Sequence, residues 1–276
     1  MKKTIFISIM IFAALVLSVS CSNSGKTPKN DSYTVTFDLK GGKCEGLDTK
    51  QTVKAGDTVD EPVSSFPTAP DAKYYIFDEW QDKNGEKYDF SKPVTSDITI
   101  YAYYKPKYGI GQSTGSGIVF YENKNYVQGS SDSDKNWKYL EVAKEDFKAI
   151  VGNIDSDKLA WGSSGAVETS TSAGKGYSNT KIIAESSLTS AIAKEVWEKT
   201  WNGLSDWFIP SKDELVEIYK NYEKIKDAKI SSADYWTSSG DGNDNAWCLK
   251  FDGGTTPTPQ SVSRSTECRV RLIRKF

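Results

Sequence analysis

The sequence lacks histidine altogether, and this absence narrows the available chemistry more than any motif in the chain. Serine or cysteine nucleophiles that depend on an imidazole base cannot be built, nor can zinc sites with imidazole ligands. Enzymes that use only carboxylates remain open. Lys and Arg (35) nearly balance Asp and Glu (37), so the chain has no basic surplus with which to bind nucleic acid. We therefore expect a protein that is no enzyme, needs no cofactor and binds no nucleic acid.

Long apolar runs are missing except at the N-terminus. There, Lys2 and Lys3 precede an apolar run from Ile5 to Val19 that only two serines interrupt, which is typical of a secretory leader. The run is near the lower limit for crossing about 30 Å of hydrocarbon, and small residues and a cysteine follow it at once. We predict a cleaved signal peptide over residues 1–20.

The end of this leader, Leu17-Ser-Val-Ser-Cys21, resembles a bacterial lipobox, in which the cysteine becomes the new N-terminus and carries acyl chains. It departs from the common form at Ser18, where an aliphatic residue is usual. Each buried methylene contributes about 0.8 kcal/mol, so several chains on one residue anchor firmly. The resemblance implies a lipid on Cys21 and a place in the cell envelope, at the outer membrane or cell surface. The alternative is an ordinary secreted protein in which Cys21 has no role.

Cysteine is scarce, and with Cys21 assigned to lipid an odd number remains, so at most one intrachain disulfide can form. Cys248 and Cys268 lie in two predicted strands, AWCLKF and ECRVRLIR, of one C-terminal sheet, whereas Cys44 lies far away in the sequence. We predict a disulfide between Cys248 and Cys268. The alternative is a pair of buried thiols that act as small apolar residues.

A small polar segment, residues 21–32, predicts a flexible tether. Beyond it the chain alternates in short runs, and in YTVTFDL the residues Val35, Phe37 and Leu39 share one face. The order YTVTFDLKGG, QTVKAGDTV, F-x-x-W (Phe77 to Trp80) and KYDFSKPVTSDITIYAYY resembles a Listeria-Bacteroides repeat over residues 33–105. The resemblance implies a small β-grasp-like module, which in bacterial surface proteins acts as a stalk or spacer and sometimes as a contact surface.

The glycine- and serine-rich residues 106–117 predict a linker, and a second domain follows over 118–276. Helical spacing over 179–199 would place Ile182, Ile183 and Val196 on an inward face, and Ser211 with Glu214 forms a capping box.

The segments WNGLSDWFIPSKDELVEIYKN, YWTSS, AWCLKF and RVRLIRKF, in that order, resemble the C-terminal domain of the Legionella collagen-like protein family. That family is related to the C-type-lectin and formylglycine-generating-enzyme folds. The resemblance implies terminal strands that meet and long loops that form a ligand surface. We therefore expect an α+β fold class, with the β-grasp-like repeat followed by a C-type-lectin-like α+β domain.

Three sets of residues are candidates for binding. The first set lies in one loop and could offer oxygen ligands to calcium; it comprises Asp241, Asn243, Asp244 and Asn245. The glycine that an EF-hand needs is absent from this loop. The alternative is a polar turn, so whether a metal binds here stays open. Trp161, beside a glycine-rich loop, could stack on a sugar ring, whereas we expect Trp236 and Trp247 in the core. The third set is a basic cluster that could contact an anionic glycan or else pair internally, and it comprises Arg264, Arg269, Arg271, Arg274 and Lys275.

We thus predict a lipid-anchored surface protein whose C-terminal domain binds an extracellular glycan or protein in adhesion. Similar folds also serve as sequence-diversified receptors. The alternatives are a structural envelope component without a ligand, and an enzyme of the formylglycine-generating type, which would need reactive cysteines.

Overall fold

The computed structural model describes residues 31–62, 66–151, 154–189, 191–197, 199–201 and 203–276. Cys21 and the predicted signal peptide lie outside the described residues. No helix within these ranges is long and apolar enough to cross a membrane. In chain order the strands are β1 (Ser32–Asp38), β2 (Lys50–Lys54), β3 (Tyr75–Gln81), β4 (Ile98–Pro106), β5 (Gly117–Glu122), β6 (Tyr139–Ala143), β7 (Ala149–Val151), β8 (Ile154–Ser156), β9 (Leu159–Ala160), β10 (Asp234–Asp241), β11 (Asn245–Lys250), β12 (Pro259–Ser263), β13 (Glu267–Cys268) and β14 (Ile273–Lys275). The helices are α1 (Gly176–Glu185), α2 (Ile192–Trp197) and α3 (Lys212–Lys220), followed by 3-10 turns at Tyr222–Lys224 and Lys226–Ala228.

The N-terminal module is one sheet of four strands in the order β2-β1-β4-β3, with β1 parallel to β4 and the other pairs antiparallel. Its core forms because apolar residues alternate along the strands and so reach one face. Val35 and Phe37 are buried there with Trp80 and Ile100. The predicted alternation in β1 is confirmed.

The C-terminal module, which we call the head, is built from small sheets. One has the order β14-β6-β5, so the first and the last strand of the head flank β6, and another has the order β10-β11-β12. Two short ladders, β9 with β13 and β7 with β8, complete it. Two apolar clusters fill the space between these sheets and the helices.

The expectation of an α+β fold, with a β-grasp-like repeat and a C-type-lectin-like α+β head, is wrong. Over the residues that the structure describes, the protein is β-rich, with 32% strand and 13% helix. One reason is that the region 179–199, which the spacing predicts as helical, does not form one continuous helix. Helix α1 ends at Glu185, and the backbone of Ser186 is extended. The Ser186 hydroxyl donates to the Ile183 carbonyl at 2.6 Å, a local bond that competes with the helix. Of the residues predicted to face inward, Ile183 and Val196 are buried and Ile182 is exposed.

The start of α3 follows the sequence closely. Ser211 accepts a hydrogen bond from the backbone N–H of Glu214 at 3.3 Å, and the Glu214 carboxylate accepts one from the Ser211 N–H at 2.6 Å. The predicted capping box is confirmed.

The two modules touch through an aromatic cluster. Tyr74 of the repeat is buried against Tyr126, Tyr139 and Phe276 of the head. Lys138 of the head donates to the Tyr75 hydroxyl at 2.9 Å. The contact lies between the apolar core of the repeat and the two apolar clusters of the head.

Candidate functional site

Arg264 is the point at which the loops of the head converge. Its side chain is almost fully buried and donates to backbone carbonyls of two different loops. Nη1 reaches the carbonyls of Gly165 at 2.8 Å and Ser163 at 3.3 Å. Nη2 reaches Gly242 at 2.8 Å, and Nε reaches Asn245 at 3.1 Å. One guanidinium therefore ties the loop before α1 to the turn between β10 and β11.

Trp161 supports this guanidinium from one side. The Arg264 guanidinium carbon lies 4.4 Å from the centre of a Trp161 ring, in cation–π geometry. The Trp161 indole N–H donates to the Thr237 carbonyl at 2.7 Å, and the residue is fully buried. Trp161 thus positions the loops and leaves no ring face for a sugar.

Backbone bonds complete the assembly. Gly165 N–H donates to the Asn243 carbonyl at 3.0 Å, and Arg264 N–H donates to the Asp244 carbonyl at 2.9 Å. We call the resulting surface the loop platform and define it as residues 163–169, 241–245 and 263–266. Asp241, Asn243 and Asp244 are exposed on it, and Asn245 is half-buried. The structure thereby brings the predicted loop residues together with Trp161 and Arg264. The loop residues form the surface, and Trp161 and Arg264 support it from beneath.

The exposed charges of the loop platform are acidic. Glu168, Asp241 and Asp244 carry them, while the one guanidinium lies beneath the surface. Burial lowers the pKa of Arg264, and nearby Asp244 acts in the opposite direction. The platform can therefore accept hydrogen bonds from a polar ligand.

No group of three or more Cys, Asp or Glu side chains that could hold a metal ion occurs in the described part of the chain. The predicted calcium site at residues 241–245 thus has no such cluster there, and calcium stays a prediction.

The remaining arginines of the predicted basic cluster are held in ion pairs. Arg269 Nη1 lies 2.9 Å from Asp146 and 2.7 Å from Asp157, and Arg271 Nη2 lies 2.5 Å from Asp146. Arg274 Nε lies 2.6 Å from buried Glu141. Such partly buried networks position backbone elements, and Arg269 lies outside the loop platform.

Trp236 is fully buried, whereas Trp247 is half-buried with the Lys212 ammonium 4.3 Å from its ring centre. Trp236 is thus a core residue, as predicted. Trp247 lies at the edge of the core with its ring covered by a lysine.

Cys248 and Cys268 come together in the core as thiols. The Cys268 S–H donates to Cys248, and this bond lowers the pKa of Cys248. The same bond and burial raise the pKa of Cys268. The two thiols are close enough to share a hydrogen bond, and the disulfide itself stays a prediction.

Sequence reasoning missed the structural role of Arg264. The residue stands in Ser-Arg-Ser-Thr, a polar turn, and nothing in that string distinguishes it from an exposed arginine. Its partners are backbone carbonyls, which every residue has, so the sequence does not indicate them.

Comparisons with known proteins bear on the first module. Residues 33–103 match the Listeria-Bacteroides repeat domain, so the predicted repeat is confirmed. No curated protein matches the chain. Among solved structures, a fimbrial protein from Bacteroides ovatus is similar at 12% identity and a TM-score of 0.41, over 89% of this chain and 69% of that chain.

Proposed function

We propose that this protein is a lipid-anchored surface protein of the adhesion type, whose head binds an extracellular glycan or protein through the loop platform. The observation that carries the proposal is the arrangement around Arg264. A buried guanidinium fixes two loops by their backbone carbonyls, and the side chains of Asp241, Asn243 and Asp244 are exposed on one of them. Pre-organisation of this kind lowers the entropy that binding costs.

The remaining parts of the chain fit the same purpose. The lipobox-like end of the leader would fix Cys21 to a membrane, and the repeat would serve as a short spacer between the membrane and the head. The aromatic contact at Tyr74 would orient the head on that spacer.

Metabolic labelling with an alkyne fatty acid tests the anchor. The wild-type chain should be tagged, and Cys21→Ser should not, because the acylated residue is gone. Equal labelling of both proteins would contradict lipid attachment.

An array of glycans and extracellular-matrix proteins, probed with the purified chain, tests the binding role. We expect at least one saturable signal. An array without any such signal would contradict the binding role and favour a structural component of the envelope.

A further inference from the structure

A cleft at the C-terminal end of α3 shares no residue with the loop platform. It is a cleft of about 470 Å³ between the end of α3, residues 230–232 and the turn after β11. This volume falls within the range of small-molecule sites, about 300–1,000 Å³.

Aromatic rings form the apolar wall of the cleft. The ring centre of Phe251 lies 5.1 Å from that of Tyr219 and 6.3 Å from that of Tyr222. Ile230 adds an aliphatic surface, and Tyr222 is half-buried, so part of its ring faces the opening. Such walls favour ligands with a flat face of C–H groups.

A polar corner stands beside this wall. Asp252 Oδ1 accepts hydrogen bonds from the Tyr219 hydroxyl at 2.9 Å and the Gly254 N–H at 3.0 Å. These donors, the Gly254 N–H first, lower the pKa of Asp252, so the group is a carboxylate at neutral pH. With Oδ1 engaged, Oδ2 can accept a hydrogen bond from a ligand, and Ser231 and Ser232 line the same opening.

Gly254 keeps this corner compact. A Cβ atom at this position would come within 3.0 Å of Asp252 Oδ1 and 3.1 Å of the Tyr219 hydroxyl, closer than ordinary side-chain contacts. A side chain at this position would force the carboxylate and the hydroxyl to shift by a few tenths of an ångström.

The charges at the mouth select against an anionic ligand. Lys220, the cation in the cleft lining, is paired with Glu217 at 2.7 Å, and Glu223 is paired with Lys226 at 2.7 Å. Asp252 is exposed and carries a negative charge. An apolar ring face, a carboxylate acceptor and neighbouring serines match a neutral sugar ring, which has one face of C–H groups and hydroxyls at its rim.

We propose that the cleft formed by Tyr219, Tyr222, Phe251 and Asp252 is a binding site for a neutral pyranose unit of a glycan. The Tyr222 ring stacks on the sugar face, and Asp252 accepts hydrogen bonds from its hydroxyls. The site is independent of the loop platform, and the head thereby has a second means of attachment.

Saturation-transfer difference NMR on the purified full chain tests the site, with the methyl glycosides of glucose, galactose, mannose and N-acetylglucosamine as probes. At least one glycoside should receive saturation. Asp252→Asn should weaken its binding roughly tenfold, because a charge-assisted hydrogen bond is lost. Tyr222→Ala should abolish the signal. Asp227→Asn, which removes an exposed carboxylate outside the cleft, is the matched control and should leave binding unchanged.

Two outcomes would overturn the proposal: no glycoside receives saturation, or Asp252→Asn and Tyr222→Ala both bind the glycoside as the wild type does. Circular dichroism of each variant shows whether the fold is retained. If Tyr222→Ala fails to fold, Asp252→Asn decides the matter, because Asp252 is exposed. Substitutions at Asp241 and Asn243 should leave the glycoside signal intact, which separates this site from the loop platform.

Discussion

The guanidinium of Arg264 lies over the ring of Trp161 with 4.4 Å between the guanidinium carbon and the ring centre. Both side chains are buried, and each also bonds to backbone carbonyls: Trp161 to Thr237, and Arg264 to those of two loops. The sequence predicted that Trp161 and Arg264 bind a ligand. In the structure they instead support the loop platform from beneath.

Arg264→Met should lower the free energy of unfolding by roughly 3 kcal/mol, because buried carbonyls lose their donor and the Trp161 face loses its cation. Arg264→Lys should recover only part of this loss, since an ammonium cannot reach two loops in one plane. Urea denaturation followed by tryptophan fluorescence measures both. Lys250→Met, at an exposed position of β11, is the control and should change stability by less than about 0.5 kcal/mol. A lysine variant as stable as the wild type would contradict the supporting role.

Glu214 should make stability depend on pH. Burial raises the pKa of Glu214 to about 7 from its ordinary 4.5, although the N–H groups of Ser211 and Gly174 favour the carboxylate. The folded state therefore holds this proton more tightly than the unfolded state. The contribution of Glu214 to stability is full below about pH 4.5, falls as the pH rises to about 7, and is then constant.

The change across this window is on the order of 3 kcal/mol. Urea denaturation between pH 4.5 and 8 measures it, and Glu214→Gln should flatten the curve because an amide does not titrate. Asp213→Asn, one position earlier in the same helical turn, should retain the wild-type slope. Identical slopes for the wild type and Glu214→Gln would show that another group is responsible.

The aromatic contact between the modules should couple their unfolding. Each module has its own apolar core, so we expect each to melt cooperatively by itself. Tyr74→Ala removes the central ring of the contact and should cost about 3 kcal/mol, splitting a coupled calorimetric transition into two. Tyr103→Ala, at an exposed tyrosine of β4, is the control. If both variants melt alike, the contact does not couple the modules.

Cys248 and Cys268 should form a disulfide in the exported protein. Both are buried and already in contact, and the bridge would close a loop of about 20 residues, worth roughly 3 kcal/mol. Mass spectrometry of a non-reduced digest should find the two peptides linked. Alkylation of both thiols in the unfolded but unreduced protein would establish a dithiol pair instead.

Local pattern predicted local structure well. The alternation that buries Val35 and Phe37, and the pairing of Ser211 with Glu214, depend on residues only a few positions apart. Helical spacing placed Ile183 and Val196 correctly in the core. It did not show that the helix ends at Glu185, where the Ser186 hydroxyl bonds to the preceding turn.

The site could be predicted only in part. Asp241 and Asn243 lie in a turn that glycines mark in the sequence, so their exposure follows from local rules. Arg264, by contrast, binds carbonyls as far as 101 positions away, and the Tyr219–Asp252 contact spans 33 positions. Contacts between residues so far apart in the sequence depend on how the sheets pack, and a short stretch of sequence does not predict that packing.

Binding of the array-selected ligand to Asp241→Ala/Asn243→Ala/Asp244→Ala tests the central claim most directly. A matched control, Asp60→Ala/Asn125→Ala/Asp227→Ala, removes the same exposed residue types away from the loop platform. Surface plasmon resonance should show at least a tenfold loss of affinity for the platform variant and wild-type affinity for the control. Wild-type affinity in the platform variant would contradict the claim that the head binds its ligand through these loops.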